Sequence, residues 1–181
     1  MNEIRWAETT SRLVALMGEA RRVPFDDVDR EGALWCAEKR LWDAKAMNMK
    51  DHFGQDSLLS HYHGALGEIG LSRYLGVPFT CPSGAGSVPD VAGYEVRAVG
   101  PGTRLYIKTK ENDKADRVAS VALAPDEASC IICGWMWARD IRRLGRYSDP
   151  GRRGAPAWML YDMSHLILTF PEKRLSPLVQ W

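Results

Sequence analysis

The sequence predicts an α/β protein, in which helices occupy the first third of the chain and short apolar strands follow. Apolar residues are spaced for helices before a Gly/Pro/Ser segment at 80–89, whereas the runs at 105–107, 118–123 and 130–137 have the length and composition of strands. The chain has 181 residues, of which 45% are hydrophobic and 26% charged. This composition is that of a globular domain with a substantial core.

Three helices are predicted in the N-terminal part of the chain. The first covers about residues 3–22 and ends before Pro24. The second begins near an acidic cap, at Asp29 or an adjacent acid, and continues to about residue 49. The third runs over about residues 56–75. Residues 1–55 are therefore interpreted as a helical extension packed on an α/β core of residues 56–181, within one compact domain.

Trp35 and Trp42 lie in the second predicted helix. They are seven residues apart, so they share one helical face. This spacing predicts a core or helix-packing position more readily than a surface for stacking nucleic-acid bases.

The C-terminal part of the chain is predicted to alternate between strands and one helix. The polar segment 108–117 separates the first two strand-like runs. A helix is predicted near 138–144, and a late strand at 157–161 completes the α/β unit.

A compact group of charged residues follows the Gly/Pro/Ser segment. Glu95 and Arg97 are two residues apart in a strand-like context and therefore share a face. If the chain reverses at Ala92-Gly93, Asp90 faces Glu95 across the hairpin with Cβ atoms about 5 Å apart. That spacing suits two ligands of one divalent cation. Solvated charges, or a weak cross-strand ion pair, are the alternative interpretation of the same residues.

Glu68 is a lone carboxylate within the third predicted helix. His61 is seven residues earlier and therefore lies on the same face, where it is a candidate phosphate contact. His63 points about 200° away from His61 and is predicted to be structural or exposed.

From about residue 60 to 138, the chain resembles the PD-(D/E)XK nuclease superfamily, which has the restriction-endonuclease-like fold. The helix with Gly67-Glu68-Ile69-Gly70 resembles the acidic leading helix of that family. Pro89-Asp90 followed by Glu95-Val96-Arg97 resembles its acidic strand pair. The later strands resemble those of a bacterial and phage branch. The resemblance implies a mixed central sheet flanked by helices, here with an added helical N-terminal region.

The resemblance also implies an activity, a cofactor and a partner. The expected function is a metal-dependent nuclease that hydrolyses phosphodiester bonds of nucleic acid, with DNA as the expected substrate. Mg²⁺ or Mn²⁺ would be bound by Glu68, Asp90, Glu95 and the backbone carbonyl of Val96.

Arg97 departs from the family pattern, which usually has lysine at this position. Arginine stays protonated, so it can bind a phosphate but is a poor base. Three alternatives follow: Arg97 acts as an electrostatic aid, Lys108 or Lys110 replaces the lysine, or the site is inactive. An inactive site would leave a nucleic-acid-binding or protein-interaction and regulatory module.

The net charge of +1 excludes a globally basic nucleic-acid binder, but the charge is uneven. Residues 139–181 carry 8 basic and 4 acidic side chains. Arg142 and Arg143 belong to a run of arginines in the predicted helix and the loop after it, and are candidate phosphate contacts. A solvated helix face is the alternative.

The cysteines and the hydropathy of the chain support predictions about core packing and localisation. Cys130 and Cys133 lie in a strand-like run and point to opposite faces, which favours core packing over metal binding. Apolar stretches are too short for a membrane span and the N-terminus lacks a signal-peptide core, so a cytoplasmic protein is expected. A homodimer or a protein partner is compatible with the sequence.

Overall fold

A computed structural model describes residues 21–47, 57–81, 89–100, 106–110, 116–144, 146–149, 152–156 and 160. Its elements, in chain order, are β1 (Arg22–Pro24), α1 (Asp27–Ala46), α2 (Ser57–Leu75), β2 (Tyr94–Val99), β3 (Tyr106–Lys110), β4 (Arg117–Leu123), β5 (Ser129–Trp137), α3 (Ala138–Leu144), β6 (Arg146–Asp149) and β7 (Arg152–Pro156). The predicted α/β class is confirmed.

A four-stranded mixed sheet, flanked by the three helices, is the centre of the fold. Its strand order is β1-β5-β4-β2, in which β2 runs parallel to β4 and the other neighbours are antiparallel. A second, three-stranded antiparallel sheet has the order β3-β7-β6. β2 is therefore an edge strand of the central sheet, and the residues that follow it enter the second sheet.

α1 begins at a capping box made of two acids. The Asp26 side chain accepts the N–H of Asp29 at 2.9 Å, and the Asp29 carboxylate accepts the N–H of Asp26 at 3.0 Å. Arg73 of α2 donates to both carboxylates, at 2.6 and 2.9 Å. Of the acids in this region, Asp26 is thus the cap residue, and Asp29 is its partner in the capping box.

α2 lies between α1 and the central sheet, and its residues Ala65 to Ser72 are all buried. Two glycines allow this close approach. A Cβ atom added at Gly67 would lie 2.7 Å from the Cβ of Ala98 in β2, and one added at Gly70 would collide with the sulfur of Cys130. Gly67 makes this contact with β2 in the fourth turn of α2. The next residue is Glu68, a predicted metal ligand.

Replacing Gly67 by alanine is expected to destabilise the protein by about 2 kcal/mol, because the helix or strand must shift to admit the methyl group. Gly64→Ala is the matched control in the same helix. Its added Cβ would have only a 3.7 Å neighbour, Arg40 Nη1, so the better helix propensity of alanine should leave stability equal or higher by up to about 1 kcal/mol. Urea unfolding of both variants checks this, and equal effects would contradict the close packing at Gly67.

Trp35 and Trp42 are not in the core, so that prediction is wrong. They are 59% and 74% exposed. The face of α1 that packs inward carries small residues, Ala33, Cys36 and Ala37, which let α1 approach α2 closely. The seven-residue spacing placed both tryptophans on one face, but spacing alone does not tell which face turns inward.

The predicted first helix, residues 3–22, lies mostly outside the described residues. At its end Arg22 belongs to β1, which pairs antiparallel with β5 through Arg22 to Ile131. The predicted helix end is therefore wrong. Part of the segment interpreted as an extension contributes a strand to the central sheet.

The C-terminal elements are partly as predicted. The helix at 138–144 is confirmed by α3, and the strands at 118–123 and 130–137 by β4 and β5. β3 extends to Lys110 and so includes the start of the polar segment that was predicted to separate two strands. β6 and β7 form where a loop was predicted. Their sequences, RYSD and RRGAP, lack the apolar alternation that marks a strand, so only long-range pairing reveals them. The predicted late strand lies outside the described residues except for Leu160.

Two of the four cysteines are free, and the other two form a disulfide. Cys130 and Cys133 are free and buried in β5, which confirms their packing role. Cys36 of α1 and Cys81 form a disulfide that the sequence did not predict. Disulfides are uncommon in reducing compartments, so this bond does not support the cytoplasmic prediction. Among the described helices, none combines the length and apolar character that a bilayer span requires.

Candidate active site

The chain reverses at Ala92-Gly93, as predicted. Val91 and Tyr94 exchange backbone hydrogen bonds of 3.1 and 2.7 Å, and the two residues between them have φ of +47° and +83°. Positive φ at both central positions is the type I′ pattern, which matches the twist of paired strands. The guanidinium of Arg117 lies over the Tyr94 ring, 4.9 Å from its centroid, and covers the base of the turn.

Ala92→Gly is expected to stabilise the protein by about 0.5–1 kcal/mol, because alanine is strained at positive φ and glycine is not. Ala92 is exposed, so the substitution removes no core contact. Ala122→Gly, within β4, is the control and should destabilise by a similar amount. Thermal melts that show both changes with the same sign would contradict the strained turn.

Asp90 precedes the turn and binds back to the strand that follows it. Its Oδ2 accepts the backbone N–H of Val96 at 2.8 Å, which fixes the carboxylate beside β2. Burial raises the pKa of Asp90 to about 7, and the nearby carboxylates of Glu68 and Glu95 add to the rise. Asp90 therefore titrates near neutral pH.

Glu95 and Arg97 share one face of β2, as predicted from their spacing. Arg97 Nη1 donates to Glu95 Oε1 at 2.6 Å, and Arg97 Nε donates to the carbonyl of Lys108 at 3.0 Å. These two bonds fix the guanidinium plane between β2 and β3. Both side chains are partly exposed, at 21% for Glu95 and 23% for Arg97, so solvent reaches this side of the site.

Glu68 is supplied by α2 and is almost fully buried, with 5% of its side chain exposed. Arg40 of α1 donates to Glu68 Oε2 at 2.6 Å. Burial still raises the pKa of Glu68, although the arginine opposes this rise. Burial alone would lower the pKa of Arg40, but the negative charges of Glu68, Asp90 and Glu95 together raise it.

Arg40 is the site residue that sequence reasoning missed. The signal was present: Arg40 follows Ala33, Cys36 and Ala37 at helical spacing and so continues the buried stripe of α1 that begins at Asp29. A charge on a buried stripe needs a buried partner, and Glu68 is that partner.

The predicted carboxylates are thus brought together from two parts of the chain. The charge of Glu95 helps to raise the pKa of both Glu68 and Asp90, and the charge of Glu68 helps to raise that of Asp90. Three carboxylates face two arginines, Arg40 and Arg97, so the group has one unbalanced negative charge once Asp90 has lost its proton. We call these five residues the carboxylate cluster.

The donor chemistry of the carboxylate cluster fits Mg²⁺ or Mn²⁺, since both prefer carboxylate oxygens. An unbalanced negative charge also favours a cation. Within the described ranges, however, no three acidic, histidine or cysteine side chains are grouped closely enough to bind one metal ion. Glu68 and Glu95 each have an oxygen bonded to an arginine. An ion would therefore bind through the second oxygen of each carboxylate or replace an arginine contact.

The other predicted site residues are distributed over α2, β2, β3 and α3. His61 is partly buried on α2, two turns before Glu68. Lys108 and Lys110 lie on β3, and Arg142 and Arg143 lie on α3. The backbone N–H of Val96 is bonded to Asp90, and its side chain is buried.

His63 has the structural role that was predicted for it. Its Nε2 is 2.6 Å from Glu127 Oε1, in the turn between β4 and β5.

Comparison with protein-family models, with curated proteins and with solved structures gave no match. The functional interpretation therefore depends on the residues and their geometry.

Proposed function

We propose that this protein is a metal-dependent nuclease with a restriction-endonuclease-like core, which hydrolyses phosphodiester bonds of nucleic acid, with DNA as the expected substrate. The observation that carries the proposal is the convergence of Glu68 and Glu95 on Asp90, whose pKa is raised to about 7 by burial and by these two carboxylates. A buried carboxylate with a strongly raised pKa, beside specific charged partners, is typical of functional sites.

The three carboxylates would supply hard oxygen ligands, with the Val96 carbonyl as a further donor. A bound Mg²⁺ supplies a water of lowered pKa and charge neutralisation at the phosphate. Asp90 must lose its proton before it can act as a ligand. Ion binding should therefore strengthen as the pH rises through about 7, the pKa of Asp90.

Arg97 would bind the phosphate. A guanidinium has five N–H donors in a fixed plane, and the bonds to Glu95 and to the Lys108 carbonyl orient that plane beside the carboxylates. Arg97 would stabilise negative charge that develops on the phosphate oxygens, while remaining protonated throughout. Arg40 would position Glu68 without touching the substrate.

A second candidate is an inactive domain of the same fold that binds nucleic acid without cutting it. The two short arginine contacts favour this candidate, because Arg40 and Arg97 already neutralise Glu68 and Glu95. The exposed Trp35 and Trp42 favour a further role in protein interaction. Both alternatives predict no metal-dependent cleavage.

The test is a cleavage assay on labelled single- and double-stranded DNA and RNA with Mg²⁺, Mn²⁺ or EDTA. Glu95→Gln should lower the cleavage rate by at least about 100-fold, because it removes a ligand and the partner of Arg97. Glu38→Gln, an exposed acid on α1, is the control and should retain the wild-type rate. Cleavage that is unaffected by Glu95→Gln, or absent with every metal, would overturn the proposal.

A further inference from the structure

Exposed apolar side chains are concentrated on the two long helices. Among the described residues, eight large hydrophobic residues are exposed, and seven of them belong to α1, its C-cap residue Met47 or the first turn of α2. The eighth is Leu144, at the end of α3. Large apolar side chains gathered on one exposed surface are typical of an interaction site.

Three of these residues form a stripe along α1. Val28, Trp35 and Trp42 follow one another at seven-residue intervals, so they share one face of the helix, about 10 Å apart along its axis. This face is directed away from the buried Ala33 and Ala37, which pack toward α2. The stripe is therefore open to a partner.

An open apolar hollow lies beside the stripe, between α1 and the start of α2. Its volume is about 380 Å³, and it is lined by Arg30, Glu31, Leu34, Leu58, Leu59 and Tyr62. Leu34 directly precedes Trp35, so the hollow adjoins the stripe. A hollow of this size can accept an aromatic side chain.

The positions of these features along α1 are self-complementary. A two-fold axis beside residues 38 and 39 would place Trp42 of the partner subunit opposite Leu34 and Trp35, next to the hollow. The same axis would place the partner's Lys45 opposite Glu31, because both pairs are centred on the same point of the helix. Each contact would occur twice, as in every isologous dimer.

Charge complementarity favours a second copy of this chain in the antiparallel orientation. Glu31 and Lys45 are both exposed and lie toward opposite ends of α1. In an antiparallel pair each glutamate meets a lysine, and the positive end of each helix dipole lies beside the negative end of the other. A parallel pair would place like charges together. Glu38 lies beside the axis and meets its own copy, which weakens the pair slightly.

We propose that α1 is the interface of an antiparallel homodimer, in which Trp42 of each subunit enters the hollow of the other. A tryptophan that fills a pocket contributes a large share of the binding energy of an interface, and the pairs of Glu31 with Lys45 fix the orientation. Arg40 lies on the inward side of the same helix and keeps its contact with Glu68. Dimer formation is therefore independent of the nuclease function.

Sedimentation velocity from about 1 to about 100 µM protein measures the association. The wild type is expected to form a species of twice the 20.3 kDa of one chain. Trp42→Ala should raise the dissociation constant of the dimer by at least about 100-fold, because the anchor is lost twice. Leu144→Ala removes an exposed apolar side chain outside α1 and α2, and should change the dissociation constant by less than about 2-fold.

Charge reversal tests the orientation. Glu31→Lys and Lys45→Glu should each raise the dissociation constant by about 10-fold, because attraction becomes repulsion at two places. An equimolar mixture of the two variants should recover the association of the wild type, since every lysine again faces a glutamate. This recovery also shows that both variants are folded. Arg143→Glu, on the exposed side of α3, is the control for a change of charge and should associate as the wild type does.

A wild type that is monomeric at about 100 µM would overturn the proposal and leave this surface to a different partner. A dimer that neither Trp42→Ala nor the charge reversals weaken would also overturn it, because the contact would then lie elsewhere. If the mixture does not associate, the antiparallel pairing is wrong. Glu38→Gln should associate as tightly as the wild type or more tightly, and weaker association would contradict the position of the axis.

Discussion

Replacing Arg40 by methionine is expected to lower the free energy of unfolding by about 3 kcal/mol at pH 8, because it leaves the buried Glu68 carboxylate without its partner. Methionine has similar length and fills the same space without a charge. At lower pH the loss should shrink, since Glu68 in this variant can become protonated and neutral. The pKa of Glu68 is already raised by burial in the wild type, and removing Arg40 removes the main opposing effect.

Urea unfolding at pH 5 and pH 8 measures this difference. Arg40→Met/Glu68→Gln should recover most of the stability at pH 8, because neither buried charge remains. Lys39→Met is the matched control on the same helix: its ion pair with Asp43 is partly exposed, so the loss should be at most about 0.5 kcal/mol. Equal small losses for Lys39→Met and Arg40→Met would contradict a buried pair at Arg40.

Asp90→Asn is expected to make the metal-free protein more stable above pH 7. The folded-state pKa of Asp90, about 7, exceeds the value of about 3.9 for an unfolded chain. Between these values the folded state keeps a proton that the unfolded state has lost. This retained proton stabilises the folded state fully below about pH 4, and the stabilisation is lost as the pH rises through 7.

The gain should be on the order of 2–4 kcal/mol at pH 8, and small at pH 4. Asparagine resembles the protonated carboxyl, and its carbonyl can still accept the N–H of Val96. Thermal melts in EDTA from pH 4 to pH 9 measure the effect, with Asp43→Asn, a partly exposed acid on α1, as a control that should not gain stability at pH 8. A wild-type profile that is parallel to that of Asp90→Asn would show that Asp90 titrates normally.

Local chemistry made much of the candidate site predictable. The Ala92-Gly93 reversal, the shared face of Glu95 and Arg97, and the helix around Glu68 all depend on residues close in sequence, where periodicity and turn preference decide the outcome. α3, β4 and β5 were recognised for the same reason, since each is a continuous run with consistent composition.

Contacts between residues far apart in sequence determine the features that were not predicted. The exposure of Trp35 and Trp42 depends on which face of α1 meets α2, and the small residues of the inward face give a weaker signal than two tryptophans. β6 and β7 exist because they pair with each other and with β3, not because of their own composition. The disulfide between Cys36 and Cys81 also joins segments far apart in sequence.

The most direct test of the account is titration of the protein with Mn²⁺, followed by calorimetry or by electron paramagnetic resonance of the free ion. We expect saturable binding by the wild type that strengthens as the pH rises through about 7, the pKa of Asp90. Asp90→Asn and Glu95→Gln should each weaken binding by at least about 10-fold, whereas Glu38→Gln should not. Absence of saturable binding at millimolar Mn²⁺, or binding that neither cluster variant alters, would contradict a metal site at the carboxylate cluster.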